Sequence, residues 1–144
     1  MIRIRKKIIG QVDKVSMPQF GLGNVLAKVD TGAYYCRMHC DTAQKGTDGK
    51  VLFTINGKEF TADMYKPGMV VRTKGITGHE KLEYAIKSDI ILGDNQYSAD
   101  IVLSNRSDRN YRLLIGRKFL IDHSLLVDVR RGIENDIEYN KEGK

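Results

Sequence analysis

A chain of 144 residues, 41% hydrophobic and 29% charged, is one domain's worth of sequence with apolar material for its own core, which excludes a disulfide-held scaffold and a disordered chain. Its 24 Lys and Arg against 18 Asp and Glu leave a formal charge of +6 spread along the chain, which favours acidic partners; the absence of a recognition-helix pattern or a basic stripe interleaved with aromatics argues against nucleic acid. No apolar run reaches the length of a membrane span, and the opening MIRIRKKIIG alternates charge with Ile instead of running on as a signal peptide would, so a cytoplasmic protein with no membrane partner is expected.

Residues 2–9 alternate Ile with Arg and Lys and predict a strand, and PQFGLG at 18–23 predicts a loop. Val25, Ala27 and Val29 then alternate with Leu26 and Lys28, a strand that stops on Asp30-Thr31-Gly32. Asp and Thr side chains bond to nearby backbone and Gly tolerates positive φ, so this triplet alone is an ordinary strand exit. Cys36 and Cys40 stand four apart; on an extended chain their Cα atoms would be roughly 13 Å from each other, too far for a disulfide, and reduced thiols fit the cytoplasm. VLFTINGKEFTADMY at 51–65 predicts a hairpin turning at Asn56-Gly57. Beyond Pro67-Gly68, extended pieces at 70–73 and 82–86 predict a second hairpin with Gly75 and Gly78 in its tip. Strands are expected at 90–92, 98–103, 113–115 and 125–129, one helical turn at 116–123, and a polar, frayed tail over 134–144. The chain reads as a single domain, 1–144, of the all-β class, a small barrel or sandwich.

Two blocks far apart carry more. Asp30-Thr31-Gly32-Ala33 in the first third is answered by Leu113-Leu114-Ile115-Gly116-Arg117 in the last, the latter following DIVLSNR. An Asp-Thr-Gly loop paired with an apolar-apolar-Gly strand resembles the retropepsin-like family of aspartic peptidases. Within it, AKVDTGAYYCRMHC with its His39 nine residues after Asp30, VLSNRSDRNYRLLIGRKFL and LLVDVRR are similar, in order, to the bacterial branch labelled ATP-dependent zinc proteases. Cys36 and Arg37 depart from that branch, which has a small polar and a small apolar residue there.

The resemblance implies a closed, single-lobe acid-protease barrel with one short helix, and an endopeptidase whose catalytic loop is Asp30, Thr31 and Gly32. Thr31 would bond across to a partner loop, and Ala33 would line the cleft with Gly75 and Gly78 of a flap spanning 72–86. Leu114, Gly116 and Arg117 would support the loop, Arg117 as a buried donor to a carboxylate. Metal-free hydrolysis of a peptide bond needs one carboxylate to take a proton from water and a second, protonated, to polarise the carbonyl. One chain has one such loop, so an active enzyme is expected to be a homodimer that joins two Asp30 residues on a two-fold axis. Its partner would be a peptide or protein substrate, with glutamate-rich peptides suited to the positive charge.

Cys36, His39 and Cys40 have a spacing found in zinc sites, but a structural zinc site needs a matching second pair, and His79 and His123 stand alone, so packing is the expected role and no metal is assigned. No Gly-Lys-Ser/Thr loop for a nucleotide exists, and no cofactor is expected. The rival reading is a catalytically silent peptide-binding module, or a monomeric pseudoenzyme of the same fold.

Overall fold

The strands and helices of the computed structural model, which describes residues 7–66, 70–74 and 80–141, follow the apolar alternation closely in most places. The strands are β1 (Lys7–Gly10), β2 (Val12–Met17), β3 (Leu22–Val29), β4 (Cys36–His39), β5 (Thr42–Lys45), β6 (Lys50–Ile55), β7 (Lys58–Asp63), β8 (Val70–Lys74), β9 (Glu80–Leu92), β10 (Asn95–Ser104), β11 (Leu113–Ile115) and β12 (Leu125–Asp128). The helices are α1 (Arg117–Asp122) and α2 (Ile137–Lys141).

Six strands close into a ring in the order β10, β4, β11, β3, β2, β9 and back to β10. Closure leaves the ring without an edge, and β8 is appended to β9 outside it. The pairing of β3 with β11 is parallel, Ala27 to Leu113 and Val29 to Ile115, so residues nearly ninety positions apart end their strands side by side. All three residues of β11 are buried, as a strand covered on both faces must be. A separate sheet of β5, β6 and β7 lays Val51, Phe53 and Ile55 into the same core as Ile86, Ile90 and Ile101 of the barrel. Phe20, on a single 3-10 turn at Pro18–Phe20, meets Phe53 and Phe60 edge-on at 5.2 and 5.6 Å. β1 and β12, paired in parallel, form a small two-stranded sheet of their own that sets Ile9 and Leu125 into the same core.

The expected all-β class and closed barrel are what the chain forms, and the Asn56-Gly57 hairpin is present, with both turn residues at positive φ, 52° and 77°. The structure differs from expectation at particular elements. VDKVSM and CRMH form strands although their alternation is short and mixed with charge; pairing with β3 and β10 settles them. Residues 90–92 are the end of the long β9, which turns through Gly93-Asp94 into β10. A second helix, α2, joins the one expected. The closing segment, expected to fray from Glu134, carries α2: Asn135 donates to the Val12 carbonyl at 3.2 Å and the Ile137 N–H donates to the Tyr111 hydroxyl at 2.8 Å. The expected second hairpin exists as β8 and β9, but Gly75 and Gly78, and the tip they were expected to shape, lie outside the described residues. No helix among the described residues is long and apolar enough to cross a membrane.

Candidate active site

β3 delivers Asp30 to a place where three segments meet. The Val29 N–H donates to the Gln11 carbonyl at 2.9 Å, and the Asp30 N–H donates to the Ile115 carbonyl, also at 2.9 Å, extending the β3–β11 ladder by one rung. The chain then turns. Gly32 N–H donates to Asp30 Oδ1 at 2.9 Å and Ala33 N–H to the Asp30 carbonyl at 3.2 Å. The carboxylate is thereby held by one oxygen; Oδ2 accepts from no donor among the described residues. A carboxylate fixed through Oδ1 and open at Oδ2 can hold a water or a second carboxyl group.

The far side of the loop is clamped by the start of α1. A helix leaves its first N–H groups without partners inside the helix, and here Arg117 N–H donates to the Ala33 carbonyl at 2.8 Å and Lys118 N–H to the Tyr34 carbonyl at 2.9 Å. Gly116 makes that approach possible: a Cβ on it would lie 2.4 Å from the Tyr35 carbonyl oxygen and 2.6 Å from that of Tyr34. Leu114, buried in β11, sits beside Lys28 and Arg37 in register. Thus Asp30, Thr31, Gly32, Ala33, Leu114, Gly116 and Arg117 are brought together, from opposite ends of the sequence.

Arg117 is the correction in this group. It is exposed, not buried, and its acceptor is a backbone carbonyl: Nη1 donates to Thr31 O at 3.1 Å while the guanidinium lies over the Tyr34 ring at 5.3 Å from its centroid. The loop's own turn exposes that carbonyl, so no buried carboxylate is required. Thr31 is exposed too, at the lip of a shallow depression of about 630 Å³ lined otherwise by Leu120, Ile121, Leu126 and Val127, among others.

On β4 and its neighbours, Tyr35 packs with Tyr65, Ala85 and Val102. Arg37 Nη1 donates to Glu83 Oε1 at 3.0 Å in a largely buried ion pair. Sequence spacing signals neither this pair, whose members stand 46 positions apart, nor the bond from the Arg106 N–H to His39, 67 positions away. The trio with zinc-like spacing is not assembled. In a strand alternate residues face opposite sides, so Cys36 and His39 point apart, and both ring nitrogens of His39 are taken, by Arg106 N–H and by Asp41. Both cysteines are free and buried; burial pushes the Cys36 thiol up to about 11 and the Cys40 thiol likewise to about 11, which keeps them protonated at neutral pH. Among the described residues, no three His, Cys, Asp or Glu side chains cluster as a metal site.

A closed β-barrel that presents a strand-end Asp-Thr-Gly loop, clamped by an apolar-apolar-Gly strand, defines a single-lobe aspartic-protease fold. The RimB-like family, described as retropepsin-like aspartic endopeptidase RimB, matches residues 8–136, and the chain belongs to that family. Among curated proteins it is 27% identical over 133 residues to a probable alpha-L-glutamate ligase of Desulfotalea psychrophila (strain LSv54 / DSM 12343), a match covering 87% of this chain and 28% of that protein. A probable alpha-L-glutamate ligase of Parasynechococcus marenigrum (strain WH8102) is 25% identical over 130 residues, covering 85% and 28%. The chain therefore spans little more than a quarter of the length of these relatives. Among solved structures, a Legionella pneumophila protein of unknown function matches with a TM-score of 0.64 and 25% identity, over 88% of this chain and 95% of that one.

Proposed function

We propose that the chain is an aspartic endopeptidase whose reaction centre is built from the Asp30 residues of two copies. The observation that carries this reading is the Asp30 carboxylate, pinned through Oδ1 by the Gly32 N–H and open at Oδ2, on a loop that Gly116 locks from beneath. In such a dyad the two carboxyls share one proton, since like charges this close do not both ionise; one takes a proton from water as it attacks, the other donates to the carbonyl oxygen. The supply of the second carboxylate falls to a second chain. Beside Thr31 the surface is apolar: Ile121 is 65% exposed and Leu126 47%, with Ile8, the register partner of Leu126, also exposed. A twin covering that surface would bring its own Thr31 and Asp30 alongside, with the Thr31 hydroxyls bonding across.

Acidic, glutamate-rich peptides are the proposed substrates. The charge of +6 and the names of the relatives support this. The β8–β9 hairpin keeps the role of flap in this proposal, and free, buried thiols fit a cytoplasmic setting. The test is cleavage of an acidic peptide library across pH, by wild type and Asp30→Asn, with solution mass measured alongside. Cleavage that peaks where the pair holds one proton, disappears in Asp30→Asn and tracks a dimeric mass is the expected result. A monomer that binds such peptides without cutting them would make the chain a peptide-binding module.

A further inference from the structure

β9 changes neighbours along its length. From Leu92 back to Ala85 it pairs with β10, the last rung being Ala85 with Val102; from Tyr84 back to Glu80 its strand partner among the described residues is β8. β10 runs on past that rung to Ser104, which pairs with His39 of β4. The arm made of β8 and the start of β9 therefore leaves the barrel at Ala85. A hollow of about 350 Å³ opens there, with Leu82, Glu83 and Tyr84 of the arm on one side and Leu103, Ser104 and Asn105 at the end of β10 on the other. Two backbone contacts brace the point of departure: the Tyr65 N–H donates to the Ala85 carbonyl at 2.8 Å, and Met64 bridges to Ile86.

Beyond that point a side chain of the arm reaches back to the barrel. Alternation puts Glu83 on the face of β9 that carries Ala85, and the register sets Ala85 beside Val102 and Val102 beside Arg37 of β4. On this face Val102 and Ala85 pack with Tyr65 and Tyr35 in a small cluster apart from the main core. Arg37 spans β10 to give its Nη1–H to Glu83 Oε1 at 3.0 Å, the two side chains being 23% and 10% exposed. A charge so far withdrawn from water is costly without its partner, so an arm that swung away would strand Arg37. The same register ties Arg37 to the reaction centre. Leu114 of β11 lies between Arg37 on one side and Lys28 of β3 on the other, and Asp30 follows Lys28 on that face, its N–H carrying the ladder on to Ile115. The ion pair thus joins the arm to a row of the sheet one step from Asp30.

Resting on the peptidase reading, in which this arm is the flap, we propose that Arg37 and Glu83 are positioning residues: their ion pair anchors the arm to the strand that leaves the Asp30 loop, and so sets how a bound peptide is held over that loop. The test joins amide hydrogen exchange, which needs no turnover, to steady-state cleavage of a glutamate-rich peptide. In Arg37→Met the amides of residues 80–84 should exchange roughly tenfold faster or more, while those of Leu113 to Ile115 keep their wild-type rates. KM should rise roughly tenfold with kcat nearly held, the mark of binding lost equally from ground and transition states. Arg37→Lys should restore both readouts, because the contact is a single N–H bond that an ammonium can also make. The double variant Arg37→Met/Glu83→Met leaves neither charge of the pair behind, so it guards against simple unfolding, and it should show the same loosened arm. A role in stability alone would speed exchange throughout the barrel and lower kcat with the folded fraction, leaving KM unmoved. That pattern, unchanged exchange over 80–84 in both Met variants, or a loss that Arg37→Lys does not restore overturns the proposal. A wild type that cuts no peptide, joined to an arm that loosens as expected in Arg37→Met, would instead sink the peptidase reading and leave the anchor standing.

Discussion

Two strand exits in this protein look alike on paper and differ in what holds them. β6 ends in Asn56-Gly57 and β3 ends in Asp30-Thr31-Gly32, each an Asx residue followed closely by glycine. The first turn is closed mainly by its own neighbours: β7 follows at once, Ile55 pairs with Lys58, Gly57 has nothing within 4 Å of where a Cβ would be, and a 3.3 Å bond from the Gly57 N–H to Asp41 is its outside contact. The second is closed by Gln11, Ile115, Arg117 and Lys118, residues from both ends of the chain. A turn that satisfies itself needs no specific surroundings. A turn whose donors and acceptors are supplied from about eighty-five positions away is a device for holding one carboxylate in one place, and the fold exists around it.

The largest effect should come from the carboxylate itself. In the proposed two-chain dyad, Asp30→Asn would remove both ionisable groups at one stroke while Oδ1 can still accept the Gly32 N–H. Activity should fall by about 10³-fold or more with the thermal transition nearly unmoved. Chelators should change nothing in the wild-type rate. Activity that survives Asp30→Asn and is lost to a chelator would erase the distinction between the two turns, because the Asp30 exit would then be merely structural.

Next comes the clamp. Gly116→Ala would set a methyl group 2.4 Å from the Tyr35 carbonyl oxygen and 2.6 Å from that of Tyr34, and both neighbours are backbone. Neither can swing aside, so the loop or α1 must shift. Destabilisation of about 3 kcal/mol or more is expected in denaturant unfolding, with loss of activity in whatever fraction folds.

Legibility in the sequence followed the same division. Elements whose cause is local could be read directly: the Asn56-Gly57 hairpin, the strand into Asp30, the buried triplet Leu113 to Ile115 and the turn of helix after Gly116. Elements whose cause is a distant partner could not. β2 and β4 are strands because β3 and β10 pair with them, and the segment before and into α2 is bonded to Val12 and Tyr111. In the site, glycine at 116 and the Asp-Thr-Gly loop were visible as residue types. That Arg117 would reach a carbonyl at Thr31, or that Arg106 would hang on His39, depended on geometry between segments 86 and 67 positions apart, which no spacing encodes.

The thiol of Cys36, on the strand that leaves the Asp30 loop, gives a smaller effect with a definite sign. Burial raises it from 9.0 to about 11, so the folded protein keeps a proton that the unfolded chain gives up. The stability this contributes is complete below pH 9 and is lost as pH climbs through 9 to 11, in all about 3 kcal/mol. Cys36→Ala should lessen that alkaline decline and leave the share that the buried Cys40 thiol contributes. A wild-type unfolding free energy that is level from pH 8 to 11 would show that the loop side of β4 is open to water.

The smallest effect should be at the self-contained turn. Gly57 sits at a φ of 77°, where an L side chain is strained, yet a Cβ there would meet nothing. Gly57→Ala therefore carries only the conformational cost of one left-handed residue, about 1 kcal/mol, with no steric cost added. Asn56, at a φ of 52°, already shows that a non-glycine residue tolerates this turn. Because Gly57 N–H also reaches Asp41 at 3.3 Å, the substitution should leave that bond in place, and the His39 ring with it. Urea midpoints of the two glycine variants, measured with a common slope, decide the matter. Gly116→Ala should fall well below wild type and Gly57→Ala only slightly. Equal losses would mean that the β6–β7 turn is as dependent on distant contacts as the Asp30 loop, through Asp41 and His39.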